Sequence, residues 1–358
     1  MTKKQIGRCI AFALVVCLLL IVLCDLFEQR NNSNIDKRFT TFRELAEDTV
    51  DAVWIGTSGV DRYWIAAKAY EEYGQTLYTV SCDEMPAWLY TSILDDVLSR
   101  QSPELIIIDA RPFGQDNTNM SRMEIRARRV LDAMEFMSVS RWKACWKTMK
   151  TLKQAFGDEY EYDLSYFLTY VKYHEMWDDD SYRVEKHLGD KESPYLGFHM
   201  NGDKTTKVKK QELQVYDSES LMDLDPISEQ TLYEVIEYVK EKNLNVLFVD
   251  TPQFKDETET GRGNMVYKIL EENDIPYINF CETDDEGNFL YDLNLDPEKD
   301  FYNSGHANYF GAEKFTAVFA KYLDENYDLP DRREDENTFE DWQGVYDAIK
   351  AKIAKWAK

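Results

Sequence analysis

Hydrophobic positions fall into one long block and a series of short ones. Residues 9–23 are almost unbroken apolar, extended past Asp25 by Leu26 and Phe27, with Lys3, Lys4 and Arg8 in front. That run sits near the lower limit of roughly 17–25 residues for a membrane span. No small-x-small cleavage site follows, and Leu23 before Cys24 is bulkier than a lipoprotein cleavage site accepts. An uncleaved anchor is therefore favoured over a signal peptide. Basic residues on the leading flank put that end in the cytoplasm and everything after about residue 28 outside the cell, in a single pass.

Residues 28–48 are polar (NNSNIDKR) and read as a stalk leading to a short helix. Strand and helix patterns then alternate. Residues 52–55 form a buried strand, and Ile65, Ala66, Ala69, Tyr70 and Tyr73 make the core stripe of the helix after Ser58. Residues 76–80 form a second strand, and 85–99 a helix opened at Pro86. Leu105–Asp109 (LIIID) is a third strand, apolar throughout as the centre of a parallel sheet requires. Helix 229–242, strand 246–250, helix 264–273 and strand 277–280 resume the rhythm, and Phe315, Val318, Phe319 and Tyr322 recur at helical spacing. This order predicts an α/β fold, a three-layer doubly wound and mainly parallel sheet, over residues 49–330.

Residues 117–225 break the rhythm. Helical periodicity shows at 123–137 and 164–177, and 181–217 turns polar with Gly189, Gly197 and Gly202. This stretch is expected to be an insertion or cap over the carboxyl ends of the strands, where substrate choice is made. In the tail, 331–358, Trp342, Val345, Tyr346, Ile349, Ile353 and Trp356 fall at helical spacing. Packing on the domain is the first reading of this amphipathic helix, contact with a membrane or partner the second.

Composition narrows the choice of function. A 44 % hydrophobic content supports a substantial core, and the net charge of −25 excludes nucleic acid, which is bound by clustered Lys and Arg. Cys9, Cys17 and Cys24 lie in the apolar run and Cys82, Cys145 and Cys281 beyond it, so the outer three give no disulfide framework, although one bridge fits. Metal and cofactor patterns fail on spacing. The turn ETDDEGNF echoes a calcium loop at Glu282, Asp284, Glu286 and Gly287, but Leu293 stands where a bidentate Glu is required. No cofactor is expected, and residues 178–180 read as a solvated acidic run.

The candidate chemistry lies at two distant points. A short strand ends in Gly56, Thr57 and Ser58, and residues 300–316 (DFYNSGHANYFGAEKFT) carry His306, one of four histidines, on a polar turn before a helix. Ser58 at a strand end and helix start has backbone N–H groups around it that suit a developing oxyanion, or it caps the helix. His306 is the candidate base, Asn303 its orienting group, with Asp300 as the alternative carboxylate. Gly59, Asp109 and Arg111 are candidates for substrate or oxyanion binding, although Arg111 pairing with Asp109 is the simpler reading. Asp250-Thr251-Pro252 also faces this end of the sheet. His174 reads as structural, and His187 and His199 belong to the cap.

The G-T-S turn at residues 56–58 and the N-S-G-H block at 303–306 resemble the G-D-S turn and D-x-x-H block of SGNH/GDSL-type esterases and acyltransferases. The late block is most similar to the membrane-anchored branch that includes DltD-like proteins of teichoic-acid D-alanylation and partners of membrane-bound O-acyltransferases. The resemblance runs over residues 50–325 in element order, and Asn303 departs from it where the family has Asp. It implies an SGNH/flavodoxin-like fold and an esterase or O-acyltransferase acting on ester-linked acyl groups of cell-surface glycans or glycopolymers. Ser58 would be the nucleophile and His306 the base, with a membrane acyltransferase as possible partner. A non-catalytic binding or assembly factor built on the same pocket is the alternative.

Overall fold

The short apolar runs of the sequence become a five-stranded parallel sheet. The computed structural model describes residues 1–26, 33–172, 193, 195–200 and 215–356. The strands are β1 (Ala52–Gly56), β2 (Leu77–Ser81), β3 (Leu105–Asp109), β4 (Val246–Asp250) and β5 (Tyr277–Asn279), in the order β2-β1-β3-β4-β5. Every residue of the first four is buried, which is why they read as continuous apolar runs rather than alternating ones. The register pairs Trp54 with Ile107 and Ile55 with Ile108, and Ile107 and Ile108 with Leu247 and Phe248.

That register assigns the faces. Trp54 points to one side, where its ring meets Phe319 (5.1 Å) and Trp64 (6.3 Å). This face is covered by α4 (Ala66–Tyr73) and α11 (Tyr309–Asn326), which pack on each other. Phe248 points to the opposite side and meets Phe113 (5.9 Å) of the 3₁₀ turn Arg111–Gly114. Three helices, α5 (Tyr90–Val97), α9 (Pro226–Glu241) and α10 (Glu257–Glu272), lie on that side. Strand order reverses between β1 and β3, so the crevice that doubly wound sheets use for ligands opens at the carboxyl ends of these two strands.

Local departures from the expected elements have local causes. After Ser58 the chain makes only a four-residue helix, α3 (Ser58–Asp61), before α4. Ile65 N–H donates to Thr316 Oγ1, so a tertiary hydrogen bond replaces a helical one at the break, and Trp64 Nε1 ties the same point to the Leu77 carbonyl. α10 begins earlier than its apolar stripe because Asp256 and Glu259 form a capping box. The expected helix at 85–99 is a 3₁₀ turn, Ala87–Leu89, followed by α5.

The expected stalk is part of the fold. α2 (Ser33–Glu44) packs on β2 and on α6 (Met120–Ala133), with Phe39, Phe42 and Leu45 buried. Two buried phenylalanines contribute about 1.5–3 kcal/mol each, more than a solvated tether retains. In the section expected as a cap, α6 and the unforeseen α7 (Val139–Phe156) pack on each other, and α7 on α5, so this helical half extends the helix layer. Of the helix expected at 164–177, a 3₁₀ turn (Leu164–Tyr166) and α8 (Thr169–Lys172) are seen. His174, His187 and residues 178–180 lie outside the described residues.

The tail forms α12 (Glu336–Trp342) and α13 (Val345–Trp356), broken at Gly344 where φ is +74°. Trp342 and Ile349 are buried, and Trp342 meets Tyr70 of α4 at 5.5 Å. None of the six cysteines is bonded to another. At the N-terminus α1 (Lys3–Leu26) is a helix whose most apolar 18-residue window has mean hydropathy 2.9, with none of that window buried. It is long and apolar enough to cross a membrane.

Candidate active site

The reversal of strand order brings the two distant stretches together. Ser58 Oγ lies 2.7 Å from His306 Nε2, and His306 Nδ1 lies 2.8 Å from Asn303 Oδ1. Ser58 directly follows the turn after β1, and of the two expected roles the capping one is taken by its neighbour. Thr57 caps α3 by accepting from Gly59 N–H, which leaves the Ser58 hydroxyl on the imidazole.

The histidine sits on a small hairpin, β6 (Phe301–Asn303) and β7 (His306–Ala307). Three contacts fix this hairpin: Phe254 N–H donates to the Ser304 carbonyl (2.8 Å), Phe254 stacks edge-on against Phe301 (4.8 Å), and Arg111 Nη1 donates to the Gly305 carbonyl (3.0 Å). Asn303 Oδ1 also accepts from Gly305 N–H (3.0 Å), so its oxygen, not its amide nitrogen, faces the ring. Nδ1 therefore carries the proton and Nε2 accepts from Ser58, which is the tautomer a general base needs.

The other candidates are held by contacts of their own, and Arg111 lines the cleft beside Ser58 and His306. Asp300 does not orient His306: its carboxylate takes Lys314 Nζ (2.6 Å) and Asp296 N–H (2.6 Å) instead. Asp109 is buried and accepts from Thr57 N–H (2.9 Å), Thr57 Oγ1–H (2.5 Å) and Arg111 N–H (3.1 Å). It thus sets the turn that presents Ser58. Burial pushes its carboxyl above the ordinary range, with Arg111 and Thr57 pulling it down.

Arg111 is paired with Asp109 only through its backbone. Its guanidinium reaches Thr251 and Gly305 and stands 3.6 Å from Asp250 Oδ1. A Cβ on Gly59 would run into this guanidinium and displace it from Thr251 and Gly305, so glycine suits the position by close approach rather than by φ. Gly59 and Arg111 are locked together behind the serine.

Electrostatically the imidazole is held neutral. Burial pushes His306 down to about 3, Arg111 and Arg62 push the same way, and Asp83 opposes them. The cleft in front of Ser58 and His306 encloses about 240 Å³ and is polar: Glu84, Gln115, Gln253, Lys255, Glu259 and Tyr267 line it. Glu84 is bound by Arg126 and Arg122. Lys255 Nζ and Tyr267 Oη both lie 2.5 Å from Asp250 Oδ2, so the cleft wall is a fixed network.

Glu84, Gln115, Gln253, Lys255, Glu259 and Tyr267, which line the cleft, belong to no motif in the sequence. Among the described residues, Asp61, Asp83 and His199 are a group whose donor atoms lie within 4.8 Å of one another. Arg38 is bonded to Asp61 and Arg62 stands 3.7 Å from Asp83, so these two guanidiniums already supply the positive charge and would repel a cation. Burial first, then Arg62 and Arg38, push His199 down to about 4. Neither the models of known protein families nor the curated proteins include a match to this chain.

Proposed function

We propose that the chain is a membrane-anchored, extracellular serine esterase or O-acyltransferase of SGNH type, acting on ester-linked acyl groups of cell-surface glycans or glycopolymers. The observation that carries this reading is the relay Ser58 Oγ–His306 Nε2–Nδ1–Asn303 Oδ1, with both contacts at hydrogen-bond length. In the first step Ser58 Oγ bonds to the ester carbonyl carbon while its proton passes to Nε2. The tetrahedral adduct then expels the alcohol, which takes that proton, and an acyl-serine remains. Water or a sugar hydroxyl next gives its proton to Nε2 as its oxygen bonds to the acyl carbon, and the acyl–Oγ bond then breaks with Oγ taking that proton back, which releases the acid or new ester and restores Ser58 and neutral His306. The polar lining of the cleft supports a hydroxyl-rich substrate.

The positive flank of α1 supports a cytoplasmic N-terminus and an outer α/β domain. A membrane-bound O-acyltransferase is the partner this reading implies. One observation favours a second reading, a binding or assembly factor with weak catalysis. Asn303 carries no charge to stabilise the imidazolium, while Arg111 and Arg62 act against it.

A fluorophosphonate probe tests the choice on the full-length chain in detergent. The esterase reading expects covalent labelling that protein heat-denatured beforehand does not show. Absence of labelling in the native chain moves the assignment to the binding reading.

A further inference from the structure

The outer end of α1 is fastened to the α/β domain. Cys24 is fully buried and its carbonyl accepts the Thr169 hydroxyl at 2.8 Å, so the point where the helix ends is held against α8. Two residues before Thr169 lies Phe167, whose ring is flanked by Trp142 (5.5 Å) and Trp146 (5.3 Å) of α7. Trp142 and Trp146 are 46 % and 48 % exposed, and Leu164 and Val171, three residues before and four after Phe167 in the chain, are exposed as well. Apolar surface gathered in this way marks a contact.

Its neighbour in the chain says with what. Tryptophan and phenylalanine favour the boundary between headgroups and acyl chains, and this patch begins where a membrane-spanning helix would emerge. The charge is compatible as well. In a chain of −25, α7 carries Arg141, Lys143, Lys147, Lys150 and Lys153 and no acidic residue. Lys143 and Lys147 are paired with Asp95 (3.1 Å) and Glu234 (2.9 Å), so the rings supply the attraction and the helix only avoids repulsion by anionic lipid.

We propose that Trp142, Trp146, Phe167, Leu164 and Val171 lie in the interface of the same bilayer that α1 spans and seat the α/β domain on it. The proposal rests on α1 being a membrane span. It replaces a domain swinging on a tether by one held at a fixed height, with its cleft at a set distance from the lipid surface.

The test uses the full chain in phosphatidylcholine–phosphatidylglycerol vesicles, with Cys9 and Cys17 replaced by Ala. An environment-sensitive fluorophore is placed on Leu164→Cys, on Leu14→Cys within α1, or on Leu290→Cys in the loop beyond β5. Lipids with a nitroxide on the upper acyl chain are expected to quench labels at 14 and 164 about threefold more than at 290, as interfacial burial requires. The double change Trp142→Ser and Trp146→Ser should lower quenching at 164 and leave that at 14 unchanged. Quenching at 14 with none above the residue-290 level at 164 overturns the seat alone and points to a protein covering the patch. Absence of quenching at 14 overturns the span and the seat together.

Discussion

Ser58→Ala is expected to lower hydrolysis of an activated acyl ester by the full-length chain by about 10³-fold or more, leaving thermal unfolding unchanged. The two halves of that expectation have separate grounds. The Ser58 hydroxyl has His306 as its hydrogen-bond partner and does not cap α3, a role that Thr57 fills. Its removal therefore takes away the nucleophile and leaves His306 Nε2 facing the cleft, where water can replace the lost hydroxyl. His306→Ala should cost about as much, and the double variant little more than either single one, because the two act as a unit. Chromogenic ester turnover measured on all three variants checks this, and additive losses would mean that the two side chains do not share a step.

Asn303→Asp should move activity in the opposite direction. A carboxylate beside Nδ1 stabilises the imidazolium that forms when Ser58 gives up its proton, which the amide does not. The reverse change in a serine protease costs about 10⁴, and with Arg111 and Arg62 still opposing the charge a gain of about 10²-fold at neutral pH is expected here. The pH profile carries the sign. A base works when neutral, so its rate falls as pH drops through its pKa. With His306 at about 3, kcat/KM in the wild type should stay level from neutral pH down to the region of pH 4. In the Asp variant the imidazole is easier to protonate, and the acid limb should move up towards the ordinary histidine value. An unchanged limb, with a rate no higher than that of the wild type, would show that residue 303 does not tune the base.

The parts of the fold that were legible are those set by local pattern. β1, β3 and β4 are apolar on both faces, and the G-T-S and N-S-G-H turns mark where the sheet presents Ser58 and His306. What was illegible depended on partners far along the chain. Arg111 was read beside Asp109 because the two are close in sequence, whereas its guanidinium is held by Thr251 and Gly305, 140 and 194 residues away. Asp300 carried the right charge, but Lys314 on α11 claims it, which no spacing rule conveys. Arg38, which bonds to the distant Asp61, sits in a segment whose polar composition masks the two phenylalanines that dock α2. α7 gives a weak helical signal because most of its buried face, Ala144, Cys145, Thr148 and Thr151 beside Met149 and Leu152, is small or polar and lies between prominent lysines and tryptophans.

The most direct measurement is of the bond that an acyl-transfer site must form. The full-length chain is mixed with an activated acetyl ester, quenched in acid within the first turnovers and digested, and the peptides are weighed. The account predicts acetyl on Ser58, accumulating further when His306 is replaced by a residue that cannot activate the incoming water but the ester is reactive enough to acylate unaided. Acetyl found on lysines and the N-terminus alone, with the peptide containing Ser58 unmodified at every time point, would contradict it.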